Sequence, residues 1–404
     1  MNRVENNNNF LDKCIWILTA LLYMSFYTFN YSTIIMALFF IELILIIINN
    51  KGKIRICASR LFLFIAVFIA WCFITCLWAL DFKDPLEKGN SIIQISIILC
   101  ILYAYFIKID NAFELILKVI LYGGYGVVIY SFIAYGYDIV IKTMLNSQRL
   151  DFLFIGVNSI GAATSITLIL TTYFILFEGF RIEYLMAIPA IVLLVACGSR
   201  RSIIVFGVGA AIIFGFYLKQ GGKIKLQTKI VVVVVLIMAI LFFIKTGIFS
   251  GINERIIQML SGEAEVDHSS LLRREYAQLG IDIFKEHPLN GIGIGCAHIV
   301  NSTRLGHDTY LHNNYIELLA DGGIFALLIY YCPHFYIIKK SVRLRKTNSK
   351  VCMLVILLIV ICLVNDIGVV SYYAKETYFI LMAIFIGIGQ ITKEENFIAG
   401  NYKK

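Results

Sequence analysis

Residues 61–80 read LFLFIAVFIAWCFITCLWAL, an unbroken stretch without a charged side chain. An α-helix rises about 1.5 Å per residue, so about 20 such residues match the ~30 Å hydrocarbon layer of a bilayer. Basic residues precede the run (Lys51, Lys53, Arg55, Arg60), and a short polar segment, Asp81-Phe82-Lys83-Asp84, follows it. The same texture recurs along the chain. Of 404 residues, 60% are apolar and 15% charged, whereas globular domains are roughly 45–50% apolar even with glycine counted. A soluble chain of this length needs a polar skin that this composition does not supply. A cytosolic enzyme, a disulfide-built secreted scaffold, a disordered chain and a nucleic-acid-binding domain are thereby excluded. The apolar residues form long runs and do not alternate, which argues against a β-barrel. The expectation is an all-α polytopic membrane protein folded as a single membrane domain over residues 1–404.

About twelve spans are read, at 14–30, 32–49, 61–80, 91–107, 112–135, 153–177, 184–197, 202–218, 228–246, 311–332, 351–368 and 376–392. Three basic segments set the orientation: 50–60, 219–229 (Lys219, Lys223, Lys225, Lys229) and 339–350 (Lys339, Lys340, Arg343, Arg345, Lys346, Lys350). All three fall on one side if both termini are inside, and excess Lys and Arg mark the cytoplasmic side. The net charge of +9 is then a property of cytoplasmic loops. The long hydrophilic stretch 247–310 lies outside, with shorter external loops at 81–90 and 136–152. Within it, Leu272, Tyr276, Leu279 and Ile283 recur at helical spacing, so 271–286 reads as an amphipathic helix ending before Pro288. The ten cysteines form no C-x-x-C pair and mostly sit in apolar runs, where cysteine behaves as a small hydrophobe. Met1 to Phe10 is polar, without a basic-then-apolar export signal.

The residues that carry chemistry are those that break the topology pattern. Arg200 and Arg201 stand at the outer end of a span. They either snorkel into headgroups or grip phosphate oxygens with the guanidinium fork. Arg273 and Arg274 on the amphipathic helix carry the same pair of readings. Arg149, Arg255, Arg304, Lys83 and Lys88 are single external bases, read as ordinary solvated charges. Of the six histidines, all but His334 lie in the external stretch or at its exit, and none form an H-x-x-x-H or H-E-x-x-H pair, so no metal site is read. His312 opens a span, and an imidazole at the membrane–water boundary exchanges protons near neutral pH. Gly291-Ile292-Gly293-Ile294-Gly295 lacks the strand-helix setting of a dinucleotide loop and reads as a turn allowing close backbone approach. Two acids inside spans, Glu42 and Asp366, suit a proton relay in a transporter. Asp366 is also near enough to a helix end to be solvated.

Three strings converge on one family. Cys197-Gly198-Ser199-Arg200-Arg201, residues 273–296 (RREYAQLGIDIFKEHPLNGIGIGC) and residues 311–329 (LHNNYIELLADGGIFALLI) resemble, in order, spacing and side, the motifs of the bacterial O-antigen ligase and O-antigen polymerase superfamily. The resemblance covers about 190–335. One departure is Ala277 at a position that is often tryptophan in the family, with Tyr276 beside it. The resemblance implies transfer of a glycan from an undecaprenyl-diphosphate carrier at the periplasmic face of the bacterial inner membrane, with inversion at the anomeric carbon and without a metal or other cofactor. It assigns Arg200 and Arg273 to the leaving diphosphate and His312 to the acceptor hydroxyl as general base. Arg201, Arg274, Asn313 and Lys83 are further substrate-binding candidates, with Asn313 or Glu317 orienting the imidazole. The short external loop and the His-Asn-Asn-Tyr-Ile-Glu-Leu-Leu run are more like polymerases, which extend another lipid-linked repeat unit and work with a chain-length regulator. The alternative is a ligase acting on lipid A-core. A secondary transporter or lipid-oligosaccharide flippase is the rival from another class, although no internal repeat is found.

Overall fold

The computed structural model describes residues 10–29, 32–53, 59–146, 148–150, 156–220 and 268–401, and their regular structure is helical, with no strand. In chain order the helices are α1 (Phe10–Thr28), α2 (Ser32–Asn49), α3 (Arg60–Thr75), α4 (Lys83–Phe106), α5 (Ala112–Tyr135), α6 (Tyr137–Leu145), α7 (Val157–Glu178), α8 (Ala187–Ala196) and α9 (Arg200–Lys219). After the undescribed segment come α10 (His268–Glu286), α11 (Ala297–Leu305), α12 (Asn314–Leu344), α13 (Ser349–Asp366) and α14 (Lys375–Asn401). A 3-10 turn, Ile182–Met186, leads into α8. Among the described residues, α1, α4, α5, α7, α9, α12 and α13 are long and apolar enough to cross a membrane, and shorter apolar helices join them. The protein is an all-α, multi-pass membrane protein. The predicted span 228–246, the stretch 247–267, the basic residues Arg55, Lys223, Lys225, Lys229 and Arg255, and residues 1–9 lie outside the described residues.

Three local readings change. The helix predicted from 91 begins at Lys83, so most of the expected loop 81–90 is helical. Asp81 Oδ1 accepts the Lys83 N–H at 2.9 Å, and Pro85 in the first turn lacks an N–H that such a position leaves unpaired. Hydropathy misses this start because the first two turns, KDPLEKGN, are mostly polar. The loop 136–152 contains α6, a nine-residue helix too short for periodicity to reveal. Half of the basic segment 339–350 is the end of α12, which runs to Leu344, and Ser349 already begins α13.

The chain divides into two compact units. One draws on Met1–Ile56 and Ala104–Phe249. Here α1 packs on α2 and α5, α5 on α7, and α7 on α8 and α9. Lipid tails give apolar side chains no drive to leave them, so spans associate through close packing and polar contacts. The α7–α9 contact uses both. Gly161 lies so near α9 that a Cβ there would sit 2.7 Å from Ser202 Oγ, and Ser165 Oγ donates to the Ser202 carbonyl at 2.7 Å. Glu42, buried on α2, accepts a hydrogen bond from Thr19 of α1.

The other unit draws on Cys57–Tyr103 and Ser250–Lys404. Helix α12 is its centre and packs on α3, α10, α11, α13 and α14. It is broken at Gly323, where φ is 66° and ψ −165°. The break frees backbone groups that a continuous helix would pair internally, and the glycine-rich segment takes them up. Ile292 N–H donates to the Ala320 carbonyl at 3.1 Å, Gly293 N–H to the Asp321 carbonyl at 2.8 Å, and Ile324 N–H to the Pro288 carbonyl at 2.9 Å. Gly291-Ile292-Gly293 is thus the close backbone approach its glycines suggested. A Cβ on Gly323 would overlap the Leu289 carbonyl. Gly323→Ala is therefore expected to destabilise the protein by about 2–4 kcal/mol, from left-handed strain plus overlap with backbone that cannot turn aside. Thermal unfolding of the purified variant in detergent measures it, and an unchanged midpoint would contradict the close approach.

Candidate functional site

The polar residues of interest fall in both units. In the second, α10 is built as its spacing predicts. Tyr276, Leu279 and Ile283 are buried with Ile292, Cys296, Ala297, Leu311 and Ala320, and Leu272 packs on the same cluster. This cluster lies at the polar end of the unit, where apolar burial is driven by water, at about 1.5–3 kcal/mol for each large side chain. The packing turns Arg273 and Arg274 outward, and both are exposed. Tyr276, one turn after Arg273, stacks on the His312 ring, with centroids 5.8 Å apart and planes 17° from parallel. Burial pushes the Tyr276 hydroxyl above its ordinary pKa, and the Glu275 carboxylate adds to this. It therefore stays a neutral phenol at physiological pH.

His312 is half-buried and sits at φ 59°, in the left-handed region. Tyr310 flanks it on another side, with centroids 4.2 Å apart. Its backbone is held from three directions. Asn313 Oδ1 caps α12 by accepting from the Tyr315 and Ile316 N–H groups at 3.0 and 3.2 Å. Buried Glu317 accepts from the Leu311 N–H at 2.6 Å. Asn301 Nδ2 donates to the Thr309 carbonyl at 2.8 Å. Asn313 and Glu317 thus act on the backbone around the imidazole. Such a turn fixes the direction of a ring more firmly than one side-chain contact could.

Behind this turn lies a buried polar network that the sequence did not announce. Asn314 Oδ1 accepts from the Ser371 and Tyr372 N–H groups at 2.8 and 3.0 Å, and its Nδ2 donates to Tyr331 Oη at 3.0 Å. Tyr331 Oη and Ser371 Oγ donate to the two oxygens of Asp366 at 2.7 and 2.5 Å. Asp366 is buried and hydrogen-bonded through both oxygens, not solvated. Asp321, at the helix break, accepts from the Gly295 and Ala297 N–H groups at 2.9 and 2.7 Å and from Tyr372 Oη at 3.2 Å. It therefore caps the N-terminus of α11, where a carboxylate is favoured by the helix dipole. Lys83 is exposed at the head of α4. Lys88, one turn further along that helix, lays its Nζ over the Tyr373 ring at 4.0 Å.

In the first unit, the Ser-Arg string joins α8 to α9. Gly198 turns the chain at φ 57°, and Ser199 caps α9 by accepting from the Ser202 N–H at 3.4 Å. Arg200 and Arg201 are the first residues of α9, where the helix dipole favours anions. Arg201 donates to the Asn158 carbonyl at 3.5 Å, and Arg149 donates to Asn158 Oδ1 at 2.9 Å. Arg149, read from the sequence as an isolated base, thus shares a partner with Arg201. Nothing local in the sequence announces this, because the two are brought together by the packing of Leu150 against Ala196, whose carbonyl accepts the Leu150 N–H at 3.0 Å. The candidates therefore form two sets: Arg200 and Arg201 with Arg149 and Asn158, and Arg273, Arg274, His312 and Asn313 with Lys83 in the second unit.

Residues 185–331 match the family model described as O-antigen ligase. The match contains both arginine pairs, His312 and Asn313, and ends inside α12 beyond the Gly323 break. Lys83 lies outside it. No curated protein matches the chain.

Proposed function

From the match of residues 185–331 to the O-antigen ligase family model, a family of membrane glycosyltransferase-like enzymes acting on lipid-linked glycans, we propose that the chain is a surface-polysaccharide polymerase of the bacterial inner membrane. It transfers a glycan from undecaprenyl diphosphate to a sugar hydroxyl of another lipid-linked repeat unit, at the periplasmic face. The observation that carries the reading is the stacking of His312 on Tyr276, which joins the helix bearing Arg273 to the imidazole that opens the His-Asn motif.

The reaction forms a bond from the acceptor oxygen to the anomeric carbon and breaks the bond from that carbon to the diphosphate oxygen. Direct displacement inverts the anomeric centre. The acceptor proton passes to the His312 imidazole, acting as general base. Negative charge grows on the leaving diphosphate, and guanidinium groups held in place before the reaction stabilise it as it develops. In the second unit Arg273 serves this role, with Arg274 and Lys83 as further phosphate or glycan contacts; Arg200 and Arg201 are the candidates for it in the first unit. The turn 309–317 supports the base assignment, since its backbone anchors leave the ring little freedom.

Surface polysaccharide from a deletion strain, resolved on a gel, tests the proposal. A polymerase deletion leaves core bearing a single repeat unit. Core with no repeat unit at all would instead assign the chain to ligation onto lipid A-core, and an unaltered ladder would end both readings. Synthesis by the purified protein in detergent, with no ion gradient, excludes a transporter.

A further inference from the structure

His298 stands on the first turn of α11 with a different carboxylate at each ring nitrogen. Nδ1 lies 2.7 Å from Asp308 Oδ1, and Nε2 lies 3.0 Å from Asp84 Oδ2. An ionised carboxylate only accepts hydrogen bonds, and a neutral imidazole donates from one nitrogen only. Two ionised carboxylates at these distances are both satisfied only by the imidazolium. The bridge joins two segments with a direct bearing on the site. Asp84 is the second residue of α4, beside Lys83. Asp308 lies four residues before His312, in the loop 306–312.

That loop has other anchors near its far end, the Asn301 amide on the Thr309 carbonyl and Glu317 on the Leu311 N–H. His298 supplies the anchor at its near end. Lys83 and Glu87 of α4 are exposed, and the other nearby charges on the packed elements have contacts of their own. Asp321 of α12 is taken by the Gly295 and Ala297 N–H groups and Tyr372. Lys88 of α4 lies over Tyr373. Arg304 of α11 pairs with Glu286 of α10 at 3.4 Å. His307 packs edge-on against Tyr276.

We propose that His298 is a positioning residue: as an imidazolium between Asp84 and Asp308 it ties the loop carrying His312 to the head of α4, and loss of its proton releases that loop. The proposal rests on His312 being the base of the transfer reaction. The sign follows from the surroundings. Burial opposes the charge on His298, but its hydrogen bonds to Asp308 and Asp84 and the charges of those carboxylates outweigh it and raise its pKa above the ordinary value. A raised pKa means that the clamp is complete below the unfolded value and is lost as pH rises through the folded one.

Hydrogen–deuterium exchange of the full chain in detergent micelles, followed on peptides spanning 306–312 and corrected for intrinsic exchange, reads the clamp without reference to catalysis. In the native protein, protection of this loop is expected to fall as pH rises from about 5 to about 9. His298→Gln, which donates to one carboxylate and does not titrate in this range, is expected to show low protection with no pH step. Asp308→Asn, at an exposed position and therefore safe for folding, is expected to weaken protection at the acidic end. In the transfer assay both variants are expected to lose about 10- to 100-fold in kcat, the scale of a displaced reacting group, with little change in KM. A pH step in His298→Gln like that of the native protein would overturn the clamp, as would native protection that is flat with pH. If His312→Ala proves active while the exchange step is present, the clamp stands and the base assignment falls. If the step is absent while His312→Ala is inactive, the reverse holds.

Discussion

His312→Ala is expected to lower glycan transfer by about 10²–10⁴-fold, the range for removing a general base, with the protein still folded and in the membrane. The side chain is half-buried and contacts Tyr276 and Tyr310 through ring faces. Its loss removes stacking worth about 1 kcal/mol, not a core element. Backbone conformation is the confounding effect, because position 312 has φ 59° and alanine is strained there. His312→Asn separates the two. Asparagine tolerates the left-handed region but has no basic nitrogen, so it is expected to restore stability and not activity. Initial rates with a lipid-linked repeat unit, alongside unfolding midpoints for both variants, give the answer. Transfer by His312→Asn at the native rate would falsify the assignment of this residue as the base.

Asp321→Ala is expected to lose about 3–5 kcal/mol of stability, the scale for breaking a buried, charge-assisted network. The carboxylate satisfies two backbone N–H groups at the start of α11 and the Tyr372 hydroxyl, and all three lie in the protein interior. Each donor left unpaired costs about 1–3 kcal/mol. The same change removes the favourable charge at the α11 N-terminus, and α11 carries His298 and Asn301. Asp321→Asn keeps one accepting oxygen and is expected to fall between the native protein and Asp321→Ala. Thermal unfolding in detergent reads the series. Equal midpoints for all three proteins would show that the glycine segment 291–295 is held on α12 by other contacts.

The membrane architecture was open to reading because it depends on a property summed over many residues. Residues 61–80 need only be apolar and long enough, and almost any order of Leu, Ile and Phe serves. The amphipathic helix was equally legible, since Leu272, Tyr276, Leu279 and Ile283 share a face by spacing alone, and the structure buries that face. Helix ends were less legible. The start at Lys83 depends on one turn of local hydrogen bonding, and α6 and α11 are each nine residues long, too short for a periodic signal to stand out.

The candidate site divides in the same way. His312 and the arginine pairs could be named because their residue types are out of place where they stand, and the family match over 185–331 contains them. Of the residues that hold the turn around His312, Asn313 and Glu317 could be named as candidates, but Asn301 and Asp84 could not. Those two are ordinary polar residues in sequence, and their importance lies in which distant backbone or ring each meets. His298 was one histidine among several until the fold set Asp84, 214 positions earlier, against its ring.

By itself, the order of residues determined that this chain is helical, lives in a bilayer, and carries arginines and a histidine at places where charge is costly. Those facts follow from local composition and from the price of moving polar groups into hydrocarbon. Only the folded chain decided that Arg149 joins Arg201 at Asn158, that Asp321 seals the broken turn of α12, and that one imidazole bridges two acids beside the proposed base. These depend on hydrogen bonds between segments far apart in sequence, whose short reach is met only after every helix has been placed.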